Sequence, residues 1–183
     1  MRSLQDLIKL AEEHGMDLHE IILSVDSEAT GISECEIYNL IFSRLKDMRR
    51  SAKEASNNIN SCKLVPNTGA LVREYSKSGG MCGGFLLKAS AIALEVATYN
   101  ASMGSIVAAP TAGSCGILPG MLFSWEEFYG KDMVDDDRKL TEALIVAGAV
   151  GEIIASRATL AGAEGGCQAE CGAAAAMGYA GLV

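Results

Sequence analysis

From Ala161 to Met177 the chain reads Ala-Gly-Ala-Glu-Gly-Gly-Cys-Gln-Ala-Glu-Cys-Gly-Ala-Ala-Ala-Ala-Met, and this order leaves little choice of local structure. Alanine is the strongest helix former and lacks the β-branched bulk that favours strands. The diglycine ahead of the run lets the backbone turn tightly and approach a ligand. The segment therefore predicts a helix that starts near Cys167. At a helix N-terminus the unpaired N–H groups and the dipole favour a thiolate, the form that binds a metal or cluster. Cys171 follows four residues later, on the same helix face. Both thiols ligating one centre stands beside the plainer reading of Cys171 as a small buried hydrophobe.

The rest of the chain carries the same signature. Leu4, Leu7, Ile8 and Leu10 recur at helical spacing and stop at Gly15; Leu18, Ile21, Ile22 and Leu23 repeat the pattern over 17–25. Ser33 and Glu36 form a capping box that opens a helix to about Ser56. Further helices are predicted from Phe85 to about Tyr99, over 117–129 and over 138–156. Residues 57–84 break the period with Asn57, Asn58, Asn60, Pro66 and Gly69, and Asp132 to Asp137 reads as an acidic connector. Alternating β-branched runs are scarce, so the fold class is all-α, with glycine-rich loops converging at helix N-termini. The expected organisation is an N-terminal helical arm, 1–60, and a catalytic helical domain, 61–183, or one continuous domain. Hydrophobic residues at 49% suffice for a core, and with aromatics at only 5% that core should be small-residue helices packed closely.

A net charge of −8 argues against nucleic acid as a partner, because no basic stripe exists to neutralise phosphates. Arg49, Arg50 and Lys53 read as a solvated helix face. No apolar run approaches the ~18 residues a membrane span requires, and residues 1–20 do not resemble a signal peptide. Six cysteines without zinc-finger spacing then suggest reduced thiols and a cytoplasmic protein.

Three glycine loops each open an apolar helix: Ser78 to Gly84, Pro110 to Gly116, and Gly162 to Gly166. Helix N-termini bind anions, so the expectation is one shared pocket with Cys167 at its mouth; loops more than ~15 Å apart would contradict it. The first loop offers backbone N–H groups to a carboxylate or phosphate, or is a plain inter-helix turn. The second offers Thr111, Ser114 and Cys115, or is a capped turn. Cys35 and Cys62 read as buried small residues, as do Cys82 and Cys115 with less force. His14 and His19 read as surface or capping residues, Arg157 as a salt-bridge residue that could alternatively pair a substrate carboxylate, and Lys77 as a solvated lysine that could alternatively form a Schiff base.

Three segments carry a resemblance. Asn100-Ala-Ser-Met-Gly104 runs into Ala109-Pro-Thr-Ala-Gly-Ser-Cys-Gly-Ile-Leu-Pro-Gly120, and Gly165-Gly-Cys-Gln-Ala-Glu170 follows. Over about 70–183 the chain resembles the alpha chain of the iron–sulfur-dependent bacterial L-serine dehydratases. The resemblance implies an all-helical catalytic domain and a [4Fe–4S] cluster held by three cysteines, with one iron open as a Lewis acid on the substrate hydroxyl. It makes Cys167 the first cluster ligand and puts the other two in downstream segments that this chain lacks, so the chain reads as a shortened subunit without a complete cluster. Substrate binding is implied for Ser78, Gly79, Gly80, Asn100, Pro110 and Thr111; the general base is not identified. L-serine is the implied substrate, and the implied partner is a beta chain with a regulatory domain, in a homo- or hetero-oligomer. The first loop departs from the Ser-Gly-Leu-Thr-like opening of the family. Two alternatives stand beside this reading. One is a pyridoxal-phosphate lyase using Lys77, which requires a buried Lys77. The other is a non-catalytic helical assembly module.

Overall fold

A computed structural model describes residues 3–57, 65–130 and 136–183. Among the described residues the regular structure is entirely helical, as the scarcity of alternating β-branched runs predicts. Helices α1 (Leu4–His14), α2 (Leu18–Thr30) and α3 (Glu34–Asn57) precede α4 (Thr68–Ser76) and α5 (Gly84–Ala101). A 3-10 turn at Ala112–Ser114 leads into α6 (Ile117–Tyr129), followed by α7 (Asp136–Ala155), the single-turn α8 (Gly162–Gly165) and α9 (Cys167–Leu182).

The helix ends follow local chemistry. Ser3 caps α1, its hydroxyl accepting from the Asp6 N–H at 3.2 Å while the Asp6 carboxylate accepts from the Ser3 N–H at 2.9 Å. Ser33 and Glu36 repeat the box at the head of α3. Gly15 and Gly31 close α1 and α2 in the left-handed region, with φ of 64° and 73°. Helix α2 therefore runs to Thr30, beyond its last strongly periodic apolar residues. Helix α4 lies inside the stretch that sequence periodicity leaves broken. Asn67 caps it by accepting from the Ala70 N–H, and Arg73 on it ion-pairs with the buried Glu95 of α5. Cys62 and most of the acidic connector fall outside the described residues.

One core joins α3, α5, α6, α7 and α9 through Leu45, Val96, Leu118, Leu122, Leu140 and Ala174. A second cluster seats Leu7 of α1 and Ile21 to Leu23 of α2 against Ile145 of α7. Helix α3 thus lies in the main core, with Leu45 only 1% exposed. Small residues bring helices into close contact, as the composition predicts. A Cβ on Gly120 of α6 would lie 2.6 Å from the Ala89 carbonyl of α5, and one on Gly181 of α9 would lie 2.6 Å from the Ala143 carbonyl of α7.

Arg49 is not a merely solvated cation. Its guanidinium donates to Glu126 of α6 and Asp137 of α7, both at 2.7 Å, and lies over the Phe123 ring. It pins α3 to α6 and α7. None of the described helices is long and apolar enough to cross a membrane.

Helices α5 and α6 run antiparallel. Gly116 and Gly120 face Ala93 and Ala89, while at the other end Gly84 meets Phe128. This pairing seats the Pro110–Gly116 segment beside the C-terminal half of α5 and the first glycine loop at its N-terminal end.

Candidate functional site

Helix α9 starts at Cys167, as the diglycine and alanine run predict. Its N-cap, Gly166, has φ 71° and ψ −179°, a conformation open essentially to glycine alone. That kink turns the chain from α8 into α9 and leaves Cys167 exposed in the first turn. The Cys171 thiol, one turn on, lies with its Sγ 3.4 Å from that of Cys167. Cys171 is therefore part of a thiol pair rather than a buried filler. Its thiol is pushed up in pKa, first by the hydrogen bond with Cys167 and then by burial.

The Pro110–Gly116 segment packs as a structured turn. The Ala109–Pro110 peptide is cis, and the Ser114 hydroxyl donates to the Ala109 carbonyl at 3.2 Å. Ser114 and Cys115 are each 1% exposed, so neither offers its polar group to a ligand. Burial raises the Cys115 thiol to about 11 and makes it a core residue. Thr111 is half-buried, and its hydroxyl also lies 3.2 Å from the Ser114 hydroxyl. Asn100, at the end of α5, holds the turn by donating its side-chain N–H to the Ala112 carbonyl at 2.9 Å. Pro110 borders an apolar cavity of about 340 Å³ that Val107, Leu118 and Met177 also line.

Glu170, which sequence reasoning passed over, connects the turn to α9. The Thr111 hydroxyl donates to its Oε1 at 2.8 Å. Its carboxylate lies against both Gly113 and Gly162, where an added Cβ would come within 2.8 Å and 2.5 Å of the two carboxylate oxygens. The second and third glycine loops therefore meet at one carboxylate beside Cys167. The available signal was the i, i+3 spacing of Cys167 and Glu170.

The first glycine loop lies elsewhere. Gly80 packs against Leu87 of α5, where an added Cβ would collide with that side chain, and Leu87 lies thirteen residues before Asn100, about 20 Å at 1.5 Å per residue. Ser78, Gly79 and Gly80 therefore do not join Asn100, Pro110, Thr111 and Cys167, and the expected pocket of three loops is not formed. The correction follows from the length of α5, which no local motif reports. Ser78 is exposed, with its hydroxyl donating to the Tyr75 carbonyl.

Lys77 is 69% exposed and paired with Glu74 at 2.6 Å, so the buried lysine that the pyridoxal-phosphate alternative requires is absent. Cys35 and Cys82 are exposed rather than buried. His14 lies in the last turn of α1. His19 is largely covered by α7, its Nε2 3.6 Å from Glu142, and Arg157 is exposed.

Among the described residues no group of three or more His, Cys, Asp or Glu is arranged to hold a metal ion. Cys167 and Cys171 supply two adjacent thiols, which do not by themselves complete the ligand set of an iron–sulfur cluster.

Residues 13–183 match the family model described as the serine dehydratase alpha chain. The chain is 36% identical over 186 residues to the L-serine dehydratase alpha chain of Peptoniphilus asaccharolyticus, covering 100% of this chain and 62% of that protein. It is 30% identical over 184 residues to the probable L-serine dehydratase alpha chain of Bacillus subtilis, covering 100% of this chain and 60% of that protein. A third relative, the L-serine dehydratase TdcG of Escherichia coli, is 40% identical over 90 residues, 49% of this chain and 19% of that protein. No solved structure matches the chain. The chain thus spans less than two thirds of the length of these relatives. On a match that takes in α2 through α9 and every segment of the candidate site, this chain belongs to the serine dehydratase alpha chain family.

Proposed function

We propose that this chain is part of a lyase that deaminates L-serine to pyruvate and ammonium. The observation that carries the reading is the family match across 13–183; the relatives' names supply the substrate. Serine carries a poor leaving group and a weakly acidic Cα–H, so its deamination needs a site that holds the amino acid in one orientation while both bonds break.

Thr111 is proposed to hydrogen-bond the substrate beside Cys167. Asn100 and Pro110 give the Thr111 turn its shape, and Asn100 does so through the Ala112 carbonyl. Cys167 is proposed as one thiolate ligand of a [4Fe–4S] cluster. The described residues hold no complete ligand set, so the cluster's chemistry is not assigned to them. The relatives' designation as alpha chains supports a beta-chain partner. Tyr75, Met81, Leu86, Phe128 and Tyr129, all exposed near the far end of α5, offer apolar surface consistent with further assembly. A cytoplasmic location remains part of this reading.

The test is anaerobic iron–sulfide reconstitution of this chain, and of the complete alpha chain with its beta chain, followed by absorbance near ~400 nm and a serine-to-pyruvate assay. The expected result is a cluster and pyruvate in the complete protein, both lost in Cys167→Ser. A reconstituted complete protein that makes no pyruvate from L-serine would overturn the reading.

A further inference from the structure

Glu170 places a charged side chain where the second and third glycine loops meet, and neither the family motif nor the substrate chemistry assigns it a task. Two observations single it out. Its Oε1 accepts from the Thr111 hydroxyl at 2.8 Å across 59 residues of sequence. Its carboxylate also fills a slot between Gly113 of the turn and Gly162 of α8, positions where any side chain would collide with it. One carboxylate therefore touches the 110–116 turn, α8 and the helix that carries Cys167. Its place in the first turns of α9 suits a negative charge, because the N-terminal end of a helix is partially positive.

We propose that Glu170 is a positioning residue that clamps the Thr111 turn onto the head of α9, keeping the Thr111 hydroxyl and the Cys167 thiol at one fixed spacing. The role rests on the dehydratase reading only for its consequence in turnover; the clamp itself is a statement about this chain. Glu170 acts through Thr111, whose hydroxyl can also donate to an amide oxygen. Glutamine should therefore keep the clamp and alanine should release it. A methyl group at Gly162 should release it too, by displacing the carboxylate from its slot.

The experiment uses the complete alpha chain with its beta chain and compares wild type with Glu170→Gln, Glu170→Ala and Gly162→Ala. Amide hydrogen exchange over 111–116 should quicken by at least ~10-fold in Glu170→Ala and Gly162→Ala, with exchange in α5 and α7 unchanged. Glu170→Gln should stay close to wild type. In the serine assay kcat/KM should fall about 10- to 100-fold in Glu170→Ala, as small misplacements near reacting groups do, and Glu170→Gln should recover most of it. Unchanged exchange at the turn in Glu170→Ala would overturn the clamp. Exchange that quickens through the whole chain would reduce Glu170 to a general stability residue and likewise overturn it. A glutamine variant as impaired in turnover as the alanine variant would show that the charge acts directly and overturn the positioning role. If wild type does not turn over serine, the dehydratase reading fails, while the exchange comparison still decides the clamp.

Discussion

The Sγ atoms of Cys167 and Cys171 lie 3.4 Å apart, one helical turn from each other at the head of α9. Two thiols at that spacing can be bridged by one soft, thiol-seeking atom, which a single exposed cysteine cannot hold as tightly. A trivalent arsenical such as phenylarsine oxide should therefore remove two thiols together from the native chain. Cys171→Ser should weaken its binding at least ~10-fold. Equal binding by wild type and Cys171→Ser, followed by thiol titration, would show that the pair does not act as one site.

Arg73 and Glu95 fasten α4 to α5. Glu95 is 3% exposed and its carboxylate accepts from both Nε and Nη2 of Arg73. Arg73→Ala would strand that carboxylate in the core, at a cost of about 3 kcal/mol, the low end for a buried pair because Arg73 itself is partly exposed. Urea denaturation should show a lower midpoint of that size. A loss under ~1 kcal/mol would mean that water reaches Glu95 once the arginine is gone.

Gly120 sets two effects against each other. Alanine there would gain about 1 kcal/mol in helix propensity, yet its Cβ would press to 2.6 Å from the Ala89 carbonyl. Forcing α5 and α6 apart costs roughly 1–3 kcal/mol, so Gly120→Ala should destabilise on balance and lower the melting temperature by a few degrees. Gly148 meets nothing within 4 Å, so Gly148→Ala should raise it slightly and serves as the control.

Asp26 of α2 is held above the usual carboxylate range, first by burial and then by the neighbouring Glu152 of α7. A carboxyl whose pKa is raised in the fold binds its proton more tightly folded than unfolded. Its contribution is therefore complete at low pH and is lost as pH rises through the folded-state value. Asp26→Asn should match wild type near pH 3 and exceed it from about pH 5 upward, by less than ~1 kcal/mol because the group is partly solvated. Melting curves across pH 3 to 8 check this; a difference that shrinks with rising pH would reverse the sign.

Cys115 is buried with its thiol raised to about 11, whereas Cys35, Cys82 and Cys167 are exposed. Mass spectrometry after brief alkylation of the native protein at pH 7.5 should find the three exposed thiols modified and Cys115 protected. Labelling of Cys115 at a comparable rate would show that the 110–116 turn opens readily.

What the sequence determined by itself is mostly local. The box at Ser33, the stop at Gly15 and the start of α9 at Cys167 depend on groups within four residues of each other and are legible in the sequence; the box at Ser3 and the stop at Gly31 are equally local, but the apolar period alone does not mark them. Helix α4 escaped notice because its Asn67 cap lies among other turn-forming residues, and much of its hold comes from Glu95 on α5. The family signal in 100–120 and 165–170 was equally local. Tertiary structure alone decided which loops meet. The rise of α5 holds Gly80, which packs on Leu87, about 20 Å from Asn100, while the antiparallel packing of α5 on α6, with α9 lying along both α6 and α7, brings Thr111 to Glu170. Capping and periodicity depend on neighbours along the chain, but the meeting of two residues 59 apart depends on which helix faces pack closely, and that is settled only when the whole core closes.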